Sequence, residues 1–280
     1  MIKITTDSTC DLPRSLLERH HISVTPLGIV KNDRLYRDGI DIRPADIARH
    51  VDGGGDITTT SAVNIADYEV FFREHAAKHD AVIHLNIGSG FSSCHQNAKI
   101  AAEEVEEVYV VDTQNLSAGH GLLVLAAAEA AEAGKSVAEI LNLLDDLIPR
   151  VEISFILDRL DYMKKGGRCS AVAALGANLL KLKPCIEVKD GGMGVGKKYR
   201  GNIGNVMLDY VKDRLSDRED IDTSRIFVTH TKCDPADVEA VKNAVKEIRP
   251  DFEEVLETTA GCTITTHCGP GTLGILFIRK

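Results

Sequence analysis

Short runs rich in β-branched and apolar residues alternate, through the first half of the chain, with stretches whose apolar positions recur at helical spacing. The strand signals fall at residues 2–5, 22–30, 81–87, 107–111 and 152–157. Between them, helical spacing covers 13–20, 44–51, 65–78, 92–104, 117–133 and 137–148. The residues at the boundaries agree: Asn64 and Ser136 stand where N-caps belong, Pro44 suits a first helical turn, and Gly134 suits a C-terminal stop. Alternation of this kind predicts an α/β fold, with a mostly parallel sheet covered by helices on both faces.

Beyond residue 150 the pattern changes. Residues 184–189 and 193–200 flank Asp190-Gly191-Gly192, a hairpin signature. Helix signals at 202–215 and 234–248 then mix with strand signals at 225–231, 252–258 and 273–279. This predicts two domains: residues 1–150, built on the parallel sheet, and residues 151–280, smaller and with a mixed, partly antiparallel sheet. No internal repeat or long Ser/Pro linker separates them, so they are expected to abut.

Composition narrows the function classes. The 280 residues are 44% hydrophobic, enough for a substantial core, but only 5% aromatic with no Trp. That disfavours carbohydrate clefts and single-strand nucleic-acid platforms, which stack on aromatic rings. The net charge of −9 repels phosphate backbones. The longest apolar stretch, residues 121–128, is far shorter than the ~20 residues of a membrane span. Asp7 arrives before any hydrophobic region develops, which predicts no signal peptide, and seven scattered cysteines without a Cys-x-x-Cys spacing fit a reduced cytoplasmic protein. Charge is uneven: residues 161–200 hold nine Lys/Arg (164, 165, 168, 181, 183, 189, 197, 198 and 200) against three acids, a local +6 that leaves −15 elsewhere. The segment reads either as a solvated lysine face or as a site for an anion or an acidic partner.

In a parallel sheet, ligands gather beyond the carboxyl ends of the strands. Here those ends run into Thr6-Asp7-Ser8-Thr9, Gly88-Ser89-Gly90-Phe91-Ser92-Ser93 and Asp112-Thr113, with Thr58-Thr59-Thr60-Ser61 as a further polar stretch. Converging hydroxyls suit an oxyanion such as a carboxylate, although any one of them also reads as an ordinary cap, Ser92 included. His267 lies in Thr265-Thr266-His267-Cys268-Gly269-Pro270-Gly271, read as a constrained Gly/Pro-rich turn. Its neighbours Cys262 and Cys268 lack zinc-ligand spacing. Gly-x-Ser-x-Gly and Gly-x-x-x-x-Gly-Lys are absent, and the glycines of 192–196 sit inside the hairpin rather than between strand and helix.

At these same residues the chain resembles the DegV family of bacterial fatty-acid-binding proteins. Thr6-Asp7-Ser8-Thr9-Cys10-Asp11-Leu12-Pro13 is similar to T-D-S-x-x-D-L-P, and Tyr36-Arg37-Asp38-Gly39 to Y-x-D-G. Residues 160–168 are similar to L-x-x-L-x-K-G-G-R, with Met163 at the second Leu, and His267-Cys268-Gly269-Pro270-Gly271 to H-x-G-P-G. The resemblance implies two α/β domains with one long-chain fatty acid held between them. It also implies that the protein is a carrier without catalysis or cofactor of its own, which presents the carboxylate to a separate ATP-dependent fatty acid kinase for acyl-phosphate formation. Carried onto this sequence, Thr60 and Ser61 match the start of T-S-Q-P-S, where Ala62, Val63 and Asn64 depart. Ser92 and Gln96 match S-G-T-Y-Q, in which Ser93, Cys94 and His95 replace Gly, Thr and Tyr. His267 matches its motif, and Arg200 falls near the Arg that follows the hairpin. The ligand-binding set is therefore Thr60, Ser61, Ser92, Ser93, Arg200 and His267. Two other readings stand beside the carrier: a Ser–His hydrolase or acyltransferase using Ser92 or Ser61 with His267, and a sensor of another anionic metabolite.

Overall fold

The computed structural model describes residues 1–174 and 182–280. The N-terminal part supplies strands β1 (Ile2–Asp7), β2 (Ser23–Thr25), β3 (Gly28–Lys31), β4 (Arg34–Arg37), β5 (Thr59–Ser61), β6 (Ala81–Asn86) and β7 (Val108–Asp112). Its helices are α1 (Arg14–Arg19), α2 (Pro44–Asp52), α3 (Ile65–Ala76), α4 (Cys94–Ala102), α5 (Ser117–Glu132) and α6 (Val137–Leu147). The C-terminal part supplies β8 (Val151–Ile156), β9 (Leu182–Lys189), β10 (Gly192–Arg200), β11 (Ile221–His230), β12 (Glu254–Thr259) and β13 (Leu273–Arg279). Its helices are α7 (Leu160–Gly166), α8 (Ser170–Ala173), α9 (Ile203–Leu215), α10 (Pro235–Ile248) and α11 (Cys262–Cys268).

The first sheet, in order β2-β1-β6-β7, is parallel throughout. Strand β6 is buried along its whole length, as a strand covered on both faces must be. The C-terminal sheet, in order β10-β9-β8-β13-β11-β12, is antiparallel except where β11 meets β12, so the mixed sheet expected beyond residue 150 is present. The local signals hold too. Asn64 Oδ1 accepts from Asp67 N at 2.8 Å, Ser136 forms a capping box with Glu139, and Pro44 opens α2. Asp190 and Gly191 both take positive φ, the geometry of a two-residue hairpin turn.

Two readings need correction. Residues 22–30 are not one strand. Pro26, which has no amide hydrogen to give a ladder, separates β2 on the parallel sheet from β3 on another. That other sheet, β4-β3-β5, is small and antiparallel; its Asn32-Asp33 turn has positive φ at both residues, and the polar stretch supplies residues 59–61 as its edge strand. His267 lies in helix α11, not in a turn.

Helix α5 explains the longest apolar stretch. It packs against β1 and β6 on one side and against β8, β11 and β13 on the other, so it has no solvated face along most of its length. Two glycines allow the approach. A Cβ on Gly119 would lie 2.3 Å from Ile153, and one on Gly121 would lie 2.6 Å from the carbonyl oxygen of Cys10. One apolar core consequently runs from the parallel sheet through α5 to Ile153, Phe155 and Leu276 of the C-terminal sheet.

Candidate functional site

Strand alternation decides which hydroxyl of the Thr/Ser run faces inward. Ile29, fully buried, pairs with Thr60 on β5 and Tyr36 on β4, so these three share the inner face. Ser61 pairs with Gly28 beside Leu35, on the outer face, and is exposed. The inner face meets α11. Thr58 Oγ1 and Thr266 Oγ1 are 2.8 Å apart, and Thr60 Oγ1 and His267 Nε2 are 2.9 Å apart. Residues more than 200 positions apart in sequence are thereby joined at one point.

Burial holds the His267 imidazole at a pKa of about 4, with repulsion from Arg168 adding to the effect, so the ring is neutral at pH 7. Its Nδ1 is buried without a partner and packs on Gly166, where a Cβ would lie 2.3 Å from that nitrogen. The turn after α7 then brings in Arg168. Its Nη1 donates to Gly166 O at 2.8 Å and its Nε to Phe91 O at 3.4 Å. Phe91 precedes Ser92, whose Oγ accepts from Cys94 N at 3.3 Å and lies 3.2 Å from Cys94 Sγ. Ser92 Oγ thus takes the first amide of α4 from one residue ahead of the N-cap position, while Asn97 of that helix donates to Val63 O at 2.7 Å and ties it to the chain leaving β5.

Thr60 and His267 accordingly meet directly, and Arg168 links them, through Gly166 O and Phe91 O, to the segment that carries Ser92. Ser93 is exposed and makes no side-chain cap. Arg200 is exposed at the far end of β10, opposite Leu182, and is not brought to the others. Arg168 is the residue the candidate set lacked; its signal was the Lys-Gly-Gly-Arg run at 165–168. Lys181, counted in the basic segment, lies outside the described residues.

The strand-end hydroxyls expected to face an oxyanion are instead spent inside the fold. Thr6 Oγ1 and Thr9 Oγ1 lie 2.9 and 3.3 Å from the two ring nitrogens of His120, Ser8 donates to Asp38, and Thr113 donates to Asn86 O at 2.7 Å. A Ser–His arrangement is not assembled among the described residues: His267 bonds Thr60 rather than Ser61 or Ser92, and no carboxylate orients its ring.

Along the same helix, neighbours of His267 reach an internal cavity. Ile264 and Cys268 line a cavity of about 30 Å³ with Leu116, Ile153, Phe155 and Leu276, and with Thr229, Thr231 and Thr272 among its other walls.

Comparison with known proteins gives this arrangement a family. A family model described as "Uncharacterised protein, DegV family" matches residues 1–280. A DegV domain-containing protein of Clostridium acetobutylicum is 34% identical over 283 residues, covering 100% of this chain and 99% of its own. Among solved structures, a fatty-acid-binding DegV family protein from Thermus thermophilus is similar at TM-score 0.87 and 31% identity, covering 100% of this chain and 99% of its own. A stearic-acid-binding protein from Eubacterium ventriosum is similar at TM-score 0.84 and 28% identity, with the same coverage. The chain belongs to the DegV family.

Proposed function

We propose that the protein binds a long-chain fatty acid, with the carboxylate at Thr60, Ser92, Arg168 and His267 and the acyl chain in the interior beside α11. The observation that carries this reading is a juxtaposition on α11: His267 meets Thr60, while its helix neighbours Ile264 and Cys268 line an internal cavity with Leu116, Ile153, Phe155 and Leu276. Relatives that share the whole fold are described as fatty-acid-binding proteins. Neutral donors with a single nearby guanidinium suit a carboxylate, and each charge-assisted hydrogen bond contributes roughly 1.5–3 kcal/mol. Each buried methylene adds about 0.8 kcal/mol, so the chain supplies affinity and the head group sets orientation. About 30 Å³ is room for roughly one water, so an acyl chain enters only if the surrounding side chains and backbone move apart.

Organic extraction of the purified protein, followed by mass spectrometry, should release a long-chain fatty acid. An empty extract together with no uptake of added palmitate or oleate overturns the proposal. In a second measurement, Thr60→Val and His267→Ala should each weaken palmitate binding about tenfold or more while changing hexadecanol binding much less. Equal losses for acid and alcohol would remove both residues from the head-group site.

The protein is further proposed to hand its acid to a separate ATP-dependent fatty acid kinase and to need no catalytic group or cofactor of its own. The basic residues at 164–200 support this reading: in a chain of net charge −9 they offer an acidic partner one region of opposite sign. Acyl phosphate should form only when kinase, ATP and loaded protein are combined.

A further inference from the structure

Helix α11 lacks the local side-chain cap that α3, α6, α9 and α10 carry at their starts. Asn64, Ser136, Asn202 and Asp234 each cap their own helix through a local side-chain oxygen. The residue in that place before α11 is Gly261, which has no side chain. Its first amides are taken instead by the carboxyl groups of Asp11 and Asp38, from the opposite end of the chain. Gly261 N donates to Asp11 Oδ1 at 2.7 Å. Cys262 N donates to Asp38 Oδ1 at 3.0 Å, and Thr263 N to Asp38 Oδ2 at 2.9 Å. Thr263 Oγ1 adds a bond to Asp38 Oδ2 at 2.7 Å, and Ser8 Oγ another at 3.3 Å. Asp11 is braced in turn by Ser117 at the start of α5. All these groups are buried or nearly so, where an unmade hydrogen bond is costly.

The sequence of α11 does not hold a helix by itself. Cys262-Thr263-Ile264-Thr265-Thr266-His267-Cys268 has three threonines and an isoleucine, whose β-branched side chains lower helix propensity. Only seven residues long, it depends on its ends. One end is Asp11 and Asp38; the other is the pair of contacts from Thr58 and Thr60 to Thr266 and His267. A rigid helix of this length transmits any displacement at Cys262 to His267.

We infer that Asp38 and Asp11 are positioning residues of the head-group site: by capping α11 from the N-terminal part, they fix where His267 meets Thr60. The inference takes its ligand from the fatty-acid reading above, and it gives the Thr-Asp-Ser and Tyr-x-Asp-Gly segments a shared task, since Ser8, Asp11 and Asp38 all serve the one helix end.

The test is Asp38→Asn, which keeps the shape and one acceptor but turns an amide toward Thr263. Thr263→Ala, which deletes only the hydroxyl bond, is the milder variant. Two readouts separate positioning from general destabilisation. By NMR, the His267 pKa should rise from about 4 toward its ordinary value in Asp38→Asn and by less in Thr263→Ala. Palmitate affinity should fall about tenfold in Asp38→Asn, corresponding to ~1.4 kcal/mol, with hexadecanol affinity nearly unchanged. An unchanged His267 titration in either folded variant overturns the inference, as does an equal loss for palmitate and hexadecanol. Failure of the wild-type protein to bind palmitate would sink the fatty-acid reading, while the His267 titration still decides the positioning role.

Discussion

Replacing Asp7 with alanine is expected to cost about 4 kcal/mol of stability, the sum of roughly 1–3 kcal/mol for each buried donor left without a partner. Asp7 ends β1 and is fully buried. Its Oδ1 accepts from Thr9 N at 3.0 Å and Thr9 Oγ1 at 2.5 Å, and its Oδ2 from Ile87 N at 2.8 Å. No water replaces an acceptor there without opening the junction between β1 and the chain leaving β6. Asp7→Asn should cost about half as much, because one oxygen survives while the amide faces a donor. Urea unfolding measures both. A loss below about 1 kcal/mol for the alanine variant, the net value of an ordinary hydrogen bond, contradicts the account. Ile87 also begins the segment that reaches Ser92, so the same carboxylate bears indirectly on the candidate site.

What the sequence made legible was what local chemistry determines. The long elements announce themselves by periodicity, the caps at Asn64 and Ser136 by residue type, and the hairpin by Asp190-Gly191. Thr60, Ser92 and His267 stood out as candidates because polar residues at strand ends are conspicuous and because the motifs around them resemble those of the DegV family. The rest depended on pairing across large sequence separations. Strands β3, β4 and β5 have only three or four residues each, too few to show a period. Without their register nothing separates Thr60, facing His267, from Ser61, facing out. The hydroxyls of Thr6, Ser8, Thr9 and Thr113 looked like ligand donors, but a buried sheet edge has its own polar groups to satisfy, and these claim them first. A β-branched segment such as α11 reads against a helix until its distant caps are known.

Stability should pass through a maximum near pH 6.5 and fall on both sides. On the acid side, burial lowers His84 from 6.5 to about 3 and His267 from 6.5 to about 4. Below pH 6.5 the unfolded chain takes up protons that these folded imidazoles refuse, so acidification favours unfolding by about 1.4 kcal/mol per pH unit for each group. His120, buried and lowered in the same way, adds to the slope. Asp11 acts with the opposite sign. Burial, reinforced by repulsion from Asp38 and Asp7, raises its carboxyl from 3.8 to about 8. Between those values the folded state keeps a proton that the unfolded chain has lost, so raising the pH costs about 1.4 kcal/mol per unit until the folded carboxyl itself ionises. Two lowered imidazoles outweigh one raised carboxyl below pH 6.5; above it, Asp11 is the only one of these groups still exerting a slope. Urea unfolding at pH 5, 6.5 and 8 should show a net loss of about 2–4 kcal/mol on the acid side and about 2 kcal/mol on the alkaline side. A steady rise in stability from pH 5 to 8 rules out the Asp11 contribution, and a flat acid limb rules out the imidazoles. Asp11→Asn should remove the alkaline decline and leave the acid limb standing, because a side chain that cannot ionise still accepts from Gly261 N while releasing no proton.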